Sequence, residues 1–297
     1  YMKKVKANKP FDDETLKNMD IIHDPDTKFF RDQYEPSYSI ENFITEDERV
    51  ELLDFWYKEY DNVGYNINGH IVNIWHPISY EVIDRICRPK IYEHFGDDVI
   101  FYSDVSTDMM SVGDQMFKSI RPYGLHTDSV THIPGYRPYK DIIIPLEIHN
   151  NVNIDYVTFN QRYRGRATHF MKDRHIPNFS GYSNTFRLLP YEQYGVEGIE
   201  YDKLDWAWME KEMPEHIPMS IYEGLSIEAV LPWALRSGIV QDTSVLHAPT
   251  DFRKKGCEWK IAITFHLMVK DETYNNELTG YPTPFSRYTL NPPLLDG

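Results

Sequence analysis

Two groups of residues in this sequence have the types and spacing to do chemistry. The first is His126-Thr127-Asp128. In an extended segment residues i and i+2 point to the same side, so His126 and Asp128 can aim at one point while Thr127 faces away. The bare tripeptide says little. With 12 histidines in 297 residues, chance supplies roughly one His-x-Asp, and a surface turn accounts for it equally well. Its setting carries more weight. The tripeptide follows the strand-like run QMFKSIRPY and a Pro122-Tyr123-Gly124 turn, at the mouth of a sheet. A third ligand comes from GIVQDTSVLHAP, where a strand-like run opens at Gly238 and ends in His247, ahead of Ala248-Pro249. Two histidines and one carboxylate on one face of an ion leave three coordination positions open, the facial arrangement of non-haem iron(II) sites.

The second group is Trp259-Lys260-Ile261-Ala262-Ile263-Thr264-Phe265-His266-Leu267. Strict alternation puts Lys260, Thr264 and His266 on one face and the large apolar residues on the other. Polar side chains facing a protein interior are costly unless they bind something. A Lys and a Thr on one strand suit the far carboxylate of a dicarboxylate, by a charge-assisted bond and a hydroxyl donor. The plain alternative is a strand with its even face in solvent. With His126, Asp128 and His247 upstream, the interior reading is preferred.

Positioning these groups requires a β scaffold. From about residue 98 the text breaks into short β-branched or aromatic runs separated by Gly, Pro, Asn or Asp: VIFYSDV, QMFKSIRPY, DIIIPLEI, DYVTFNQRY, IEAVLPW, GIVQDTSVL and EWKIAITFHLMV. That pattern predicts a mainly β, closed or two-sheet architecture. Two helices precede it. One starts at Thr45 as N-cap, with acids in its first turn and Val50, Leu53, Trp56 and Tyr57 as its apolar stripe. The other covers 79–95, with Val82, Ile83, Ile86, Ile91 and Tyr92 inward. One domain over 1–297 is expected, with an arm at 1–37, helical support at 38–97, a β core at 98–270 and a tail at 271–297. The core holds an aromatic- and Pro-rich insertion at 171–225, read as a lid because long irregular segments are usually functional or disordered.

Composition narrows the partners. The formal net charge of −15 excludes a general nucleic-acid backbone binder. Cys87 and Cys257 form neither a disulfide framework nor zinc-finger spacing. No apolar run approaches the ~20 residues of a membrane span. Tyr1-Met2-Lys3-Lys4 opens no signal-peptide core, so the expectation is a cytoplasmic enzyme of unspecified oligomeric state. No phosphate-binding glycine loop, nucleophile elbow or Cys-x-x-Cys competes with the metal site.

At these motifs the chain resembles the iron(II)- and 2-oxoglutarate-dependent oxygenase superfamily, in its prolyl-hydroxylase-like and phytanoyl-hydroxylase-like branches. The resemblance runs from IENFITEDERVELLDFW to about Val269. It rests on His126-x-Asp128, the IIIPLEI strand, the run from Gly238 to His247, and the basic residue opening the last strand. It implies a double-stranded β-helix (jelly roll, cupin-like) with helices packed outside. It further implies Fe(II) on His126, Asp128 and His247, 2-oxoglutarate held by Lys260 and Thr264, O2 as oxidant, and hydroxylation of a small molecule or side chain with release of succinate and CO2. Asp128 fills the position that related halogenases leave open for halide. Two features depart from the pattern: Lys260 lies 13 residues past His247, further than usual, and DIIIPLEI carries no Tyr. On residues alone, a non-catalytic ligand- or partner-binding β-helix and a metal-dependent cupin of other chemistry stay open, though the latter usually draws on a His-x-His pair, absent here.

Other residues have plain readings beside functional ones. His132 is an alternative third ligand, more simply a loop histidine. His149, His169 and His175 read singly as structural. Arg162, Arg164 and Arg166 alternate on one strand face, either as a solvated edge or as a wall for an anionic substrate. Trp206 and Trp208 read as packing anchors.

Overall fold

The computed structural model describes residues 36–59, 65–67, 71–74, 81–105, 114–126, 128, 133, 135–162, 169–171, 185–187, 204–217, 219–222, 225, 227–243 and 245–272. The expected arm up to 35, the tail from 273, and His132, Arg164, Arg166 and His175 lie outside these residues.

The chain is mainly β, built of antiparallel sheets with few helices. In order come β1 (Tyr38–Ile40), α1 (Glu46–Glu59), β2 (Tyr65–Ile67), β3 (Ile71–Ile74), α2 (Glu81–Phe95), β4 (Val99–Phe101), α3 (Tyr102–Val105), β5 (Gln115–Ser119), β6 (Tyr136–Ile148) and β7 (Asp155–Arg162). Then follow β8 (His169–Met171), β9 (Thr185–Arg187), α4 (Trp206–Glu212), β10 (Ile227–Pro232), β11 (Gly238–Asp242), β12 (Val245–Pro249) and β13 (Lys260–Lys270). The large sheet runs β1-β11-β6-β13-β5-β3-β2, with β4 also on β13; the small sheet runs β10-β7-β12. Strands β8 and β9 form a separate parallel pair.

Strand β13 is the axis of the large sheet and is buried on both faces. Its odd residues Ile261, Ile263, Phe265 and Leu267 pack with Ile142, Ile144 and Leu146 of β6 under the two helices, against Leu52 and Trp56 of α1 and Ile83, Ile86 and Ile91 of α2. Its even residue Ala262 joins Ile143 and Ile239 of the large sheet with Tyr156, Ala229 and Leu231 of the small one. The polar even face therefore looks into the space between the sheets, not into solvent. The uninterrupted apolar run of β6 has the same cause, since both its faces are covered.

Helix α1 starts in a capping box: Glu48 N–H donates to Thr45 Oγ1 at 3.2 Å and Thr45 N–H to Glu48 Oε2 at 2.7 Å. Its buried stripe is displaced from the one expected. Leu52, Leu53 and Trp56 are buried, whereas Val50 and Tyr57 are 44% and 49% exposed. Tyr57 instead sends its hydroxyl to Glu147 Oε2 at 2.5 Å, which holds the ring at the sheet margin. Two further expectations are corrected. The segment 38–97 is not only helical, because β1, β2 and β3 extend the large sheet. The run GIVQDTSVL is not one strand either. It turns at Thr243, which sends β11 to the large sheet and β12 to the small one, and His247 sits inside β12 instead of ending a strand.

The displaced stripe gives a paired expectation. Leu52→Ala should cost about 2–5 kcal/mol of unfolding free energy, and Val50→Ala should stay within about 0.5 kcal/mol, both read by urea denaturation. Equal losses would restore the original stripe.

Candidate metal centre

His126 and His247 meet across an isolated antiparallel bridge. His126 N–H donates to His247 O at 3.0 Å and His247 N–H to His126 O at 2.9 Å. Residues that exchange both bonds hold their Cα atoms about 5.5 Å apart, with side chains on one face. The imidazoles consequently lie side by side, with ring centroids 4.1 Å and Nε2 atoms 3.0 Å apart. Asp128 closes the group: Oδ1 lies 3.8 Å from His126 Nε2 and Oδ2 lies 3.6 Å from His247 Nε2. All three ligand atoms fall within 4.8 Å of one another.

Hydrogen bonds on the far side of each ring fix which nitrogen faces the centre. His126 Nδ1 is 2.8 Å from Gly124 O, and His247 Nδ1 is 3.0 Å from Val245 O. A carbonyl only accepts and is the shorter contact of each Nδ1, so in the tautomer these contacts favour both Nδ1 atoms carry the proton and both Nε2 atoms present lone pairs. Two lone pairs 3.0 Å apart repel unless a proton or a cation lies between them. Cis ligands on an octahedral ion with bonds of about 2.1 Å stand about 3 Å apart, so the donor set and its spacing fit a divalent metal. Burial works against the Asp128 charge, yet His247, His126 and His266 around it outweigh burial and hold the carboxyl well below its usual range. Asp128 is a carboxylate at any physiological pH.

Behind the triad stands a support that the sequence did not reveal. Gln241, buried on β11, donates its amide N–H to Asp128 Oδ2 at 3.2 Å, with the same nitrogen 3.1 Å from His247 Nδ1. Its Oε1 accepts from the Tyr156 hydroxyl at 2.8 Å. The Tyr156 ring lies 5.1 Å from the His247 ring. Burial, with Asp128 and Asp141 nearby, pushes this phenol up, so it remains a donor. Alternation places Tyr156 and Thr158 on one face of β7, the only sequence signal available for the tyrosine. Gln241 had none.

Lys260 and Thr264 share the inward face of β13 but not one environment. Lys260 stands opposite Ser119 and Ile148, Thr264 opposite Gln115 and Ile143, roughly 13 Å further along by strand rise. Lys260 is buried with Nζ 3.1 Å from the Trp233 ring centroid and 5.6 Å from that of Phe252, and it forms no ion pair among the described residues. Burial lowers its pKa to about 7. Arg253, nearer to His247 in sequence, is exposed and reaches Ile120 O at 3.5 Å.

Beyond Thr264, His266 Nδ1 lies 2.6 Å from Asp141 Oδ1, and His266 N–H donates to Asp114 Oδ1 at 3.1 Å. Burial opposes the charged imidazole, but the Asp141 carboxylate raises its pKa to about 9. Asp128, Asp141 and His266 form a second group whose ligand atoms fall within 4.8 Å of one another.

The described part of the insertion leans on both histidine-bearing segments. Asp205 caps α4 by accepting from Trp208 N–H at 3.1 Å. The loop after His247 holds the other end, with Lys254 Nζ donating to Glu210, Lys211 and Met213 carbonyls at 3.2, 3.4 and 3.0 Å. Ile217 presses on the turn before His126, where a Cβ added at Gly124 would meet its Cδ1 at 3.0 Å. Trp206 and Trp208 are half-buried. His149 has a structural role, accepting from Glu258 N–H at 3.3 Å beside the Trp259 ring. Arg162 ends β7, and His169 opens β8.

Gln241→Leu strips Asp128 and Tyr156 of their shared partner. Loss of such outer support typically lowers metal affinity 10–100-fold, and Co(II) titration should show a drop of that size with the fold retained by circular dichroism. Unchanged affinity would mean that Gln241 does not hold the ligands in place.

No family profile matches the sequence, and no curated protein does. No helix among the described residues is long and apolar enough to cross a membrane. Among solved structures the chain is similar to one described as a non-heme alpha-ketoglutarate-dependent carbocyclase, SnoK, from nogalamycin biosynthesis. The identity is 10% over 91% of this chain and 90% of that chain, with a TM-score of 0.43.

Proposed function

We propose that this chain is an Fe(II)- and 2-oxoglutarate-dependent dioxygenase of double-stranded β-helix fold, hydroxylating a small-molecule or side-chain substrate. The observation that carries this reading is the pair of Nε2 lone pairs 3.0 Å apart, facing one carboxylate and fixed from behind by backbone carbonyls. In this reading His126, Asp128 and His247 hold the iron and leave one face of it open. Bound together there, iron and 2-oxoglutarate supply the oxidising power of the reaction, with O2 consumed and succinate and CO2 released.

The chain's own residues do the rest. Gln241 and Tyr156 keep Asp128 turned toward the two histidines. Trp233, Phe252 and Tyr156 exclude water from the space between the sheets. Lys260 receives the far carboxylate of 2-oxoglutarate, because a buried ammonium without an anion is the group most in need of one. Thr264 stands too far along the strand to share that carboxylate unless the strand coils.

Anaerobic Fe(II) with 2-oxoglutarate should give a weak visible charge-transfer band, and succinate should form once O2 and a substrate are admitted. A protein that binds Fe(II) at His126, Asp128 and His247 yet shows neither signal is a binding domain or another metalloenzyme.

Lys260 gives a sharper expectation. Its pKa of about 7 in the folded chain lies below the ordinary value of about 10.4. The unfolded chain therefore binds more protons between those values, and stability without co-substrate rises with pH across that window. A carboxylate beside Nζ reverses the preference, so 2-oxoglutarate binding at pH 8 should take up close to one proton, measured calorimetrically in buffers of different ionisation enthalpy. Lys260→Met should abolish the uptake and raise the 2-oxoglutarate Kd more than tenfold, with Fe(II) affinity nearly unchanged. If Arg253→Met gives that result instead, the carboxylate site has been placed on the wrong residue.

A further inference from the structure

Four buried polar side-chain atoms without a hydrogen-bond partner among the described residues lie in one region: Asp141 Oδ2, His266 Nε2, Thr264 Oγ1 and Gln115 Oε1. The strand register explains the concentration. Thr264 stands opposite Gln115, and His266 opposite Asp141, so all four project from the inward face of the large sheet in two adjacent rows. Asp141, His266 and Thr264 are 0%, 1% and 5% exposed. Buried polar atoms are normally hydrogen-bonded, and each exception calls for an occupant or a cause. The metal reading accounts for none of these four.

The chemistry of the patch restricts the occupant. Two of the atoms accept: an amide oxygen, and a carboxyl oxygen above its pKa, which burial raises to about 7. The third is a hydroxyl. The fourth, His266 Nε2, is a donor, because the pKa of that ring is raised to about 9 and its Nδ1 is engaged by Asp141 Oδ1 at 2.6 Å. Asp114, Asp128 and Asp141 place three carboxyl groups around one imidazole. A primary ammonium group has three donors, no acceptor and a positive charge, which is what the three oxygens lack, the carboxyl groups outnumbering the one imidazolium.

We propose that Asp141, Thr264 and Gln115 form a subsite for a primary ammonium group on the organic substrate, next to the metal. As a statement about substrate it rests on the function proposed above; as an ammonium site it stands on the patch alone. Asp128 belongs to both groups of ligand atoms, so the carbon presented to the metal is close to the nitrogen. The interior then has opposite ends: Lys260 takes an anion, and the Asp141 patch takes a cation. A second metal ion is the competing occupant, and it would require Asp128 to bridge.

The test uses the full chain loaded with Co(II), titrated with n-butylammonium, n-butanol and tetramethylammonium by calorimetry. Butylammonium should bind at one site, and the neutral alcohol and the cation without N–H donors should bind at least tenfold more weakly. Asp141→Asn and Thr264→Val should each weaken butylammonium at least tenfold, with Co(II) still taken up at one equivalent. Should Asp141→Asn fail to fold, Thr264→Val, checked by near-UV circular dichroism, decides alone. Equal binding of butanol and butylammonium, or no effect of Thr264→Val, overturns the subsite. Two Co(II) per chain, the second lost in Asp141→Asn, overturns it in favour of a metal. A protein that takes up no Co(II) yet binds butylammonium with the same dependence on Asp141 and Thr264 removes the metal reading and leaves the subsite standing.

Discussion

The reciprocal pair of backbone hydrogen bonds between His126 and His247 sets the geometry on which the rest of the site depends. It joins the segment leaving the large sheet to β12 of the small sheet, at the corner where the two sheets diverge. Backbone bonds fix where both Cβ atoms sit, and the carbonyls of Gly124 and Val245 fix how both rings turn. Nothing in this arrangement needs a long or flexible side chain. A donor set built this way is largely preorganised, so little ordering cost would oppose the uptake of a metal ion.

The space between the sheets is unusual in what it buries. Lys260, Asp141, His266, Thr264, Gln241 and His247 are all nearly inaccessible, and only some of them satisfy one another. Tyr156 and Gln241 form a chain of donors and acceptors that ends on Asp128. Among the described residues, Lys260 faces the Trp233 and Phe252 rings without an ion pair, and the Asp141 region keeps unpaired oxygens. Charged groups cost several kcal/mol each to bury without a counter-charge. A fold that carried them to no purpose would be replaced easily by an apolar interior of the same volume. Their arrangement by sign, cation at one end of β13 and acids toward the other, is what a polar, oriented guest requires.

Much of this was legible in the sequence because two periodicities are short-range. The i, i+2 spacing of His126 and Asp128 and the alternation of β13 depend only on local backbone geometry, and both survive in the fold. His247 was legible as the third member of the group, a histidine in a strand-like run, though the turn at Thr243 was not, since Asp-Thr-Ser marks a corner no more strongly than it marks a strand edge. Gln241 and Tyr156 were illegible for a different reason. Their importance comes from the meeting of β11 and β7 in different sheets, a long-range fact with no local trace. Asp141 looked like the polar boundary of an apolar run, but β6 extends five residues before it. On α1 the apolar positions allowed two overlapping stripes, and only packing against Ile261 and Ile263 of β13 selects the one through Leu52 and Trp56.

The segment 204–225 is fastened to both histidine-bearing segments, by Lys254 on the α4 carbonyls and by Ile217 against Gly124. Its boundary with the rest of the insertion therefore matters to anyone who would graft specificity from another protein onto this scaffold. A chimera that exchanges 171–225 as a block would remove the contacts of α4 and Ile217 with the segments that carry both histidines. One that exchanges only 172–203 keeps α4 and Ile217 in place. The useful recombination point lies at Leu204, just ahead of the Asp205 cap.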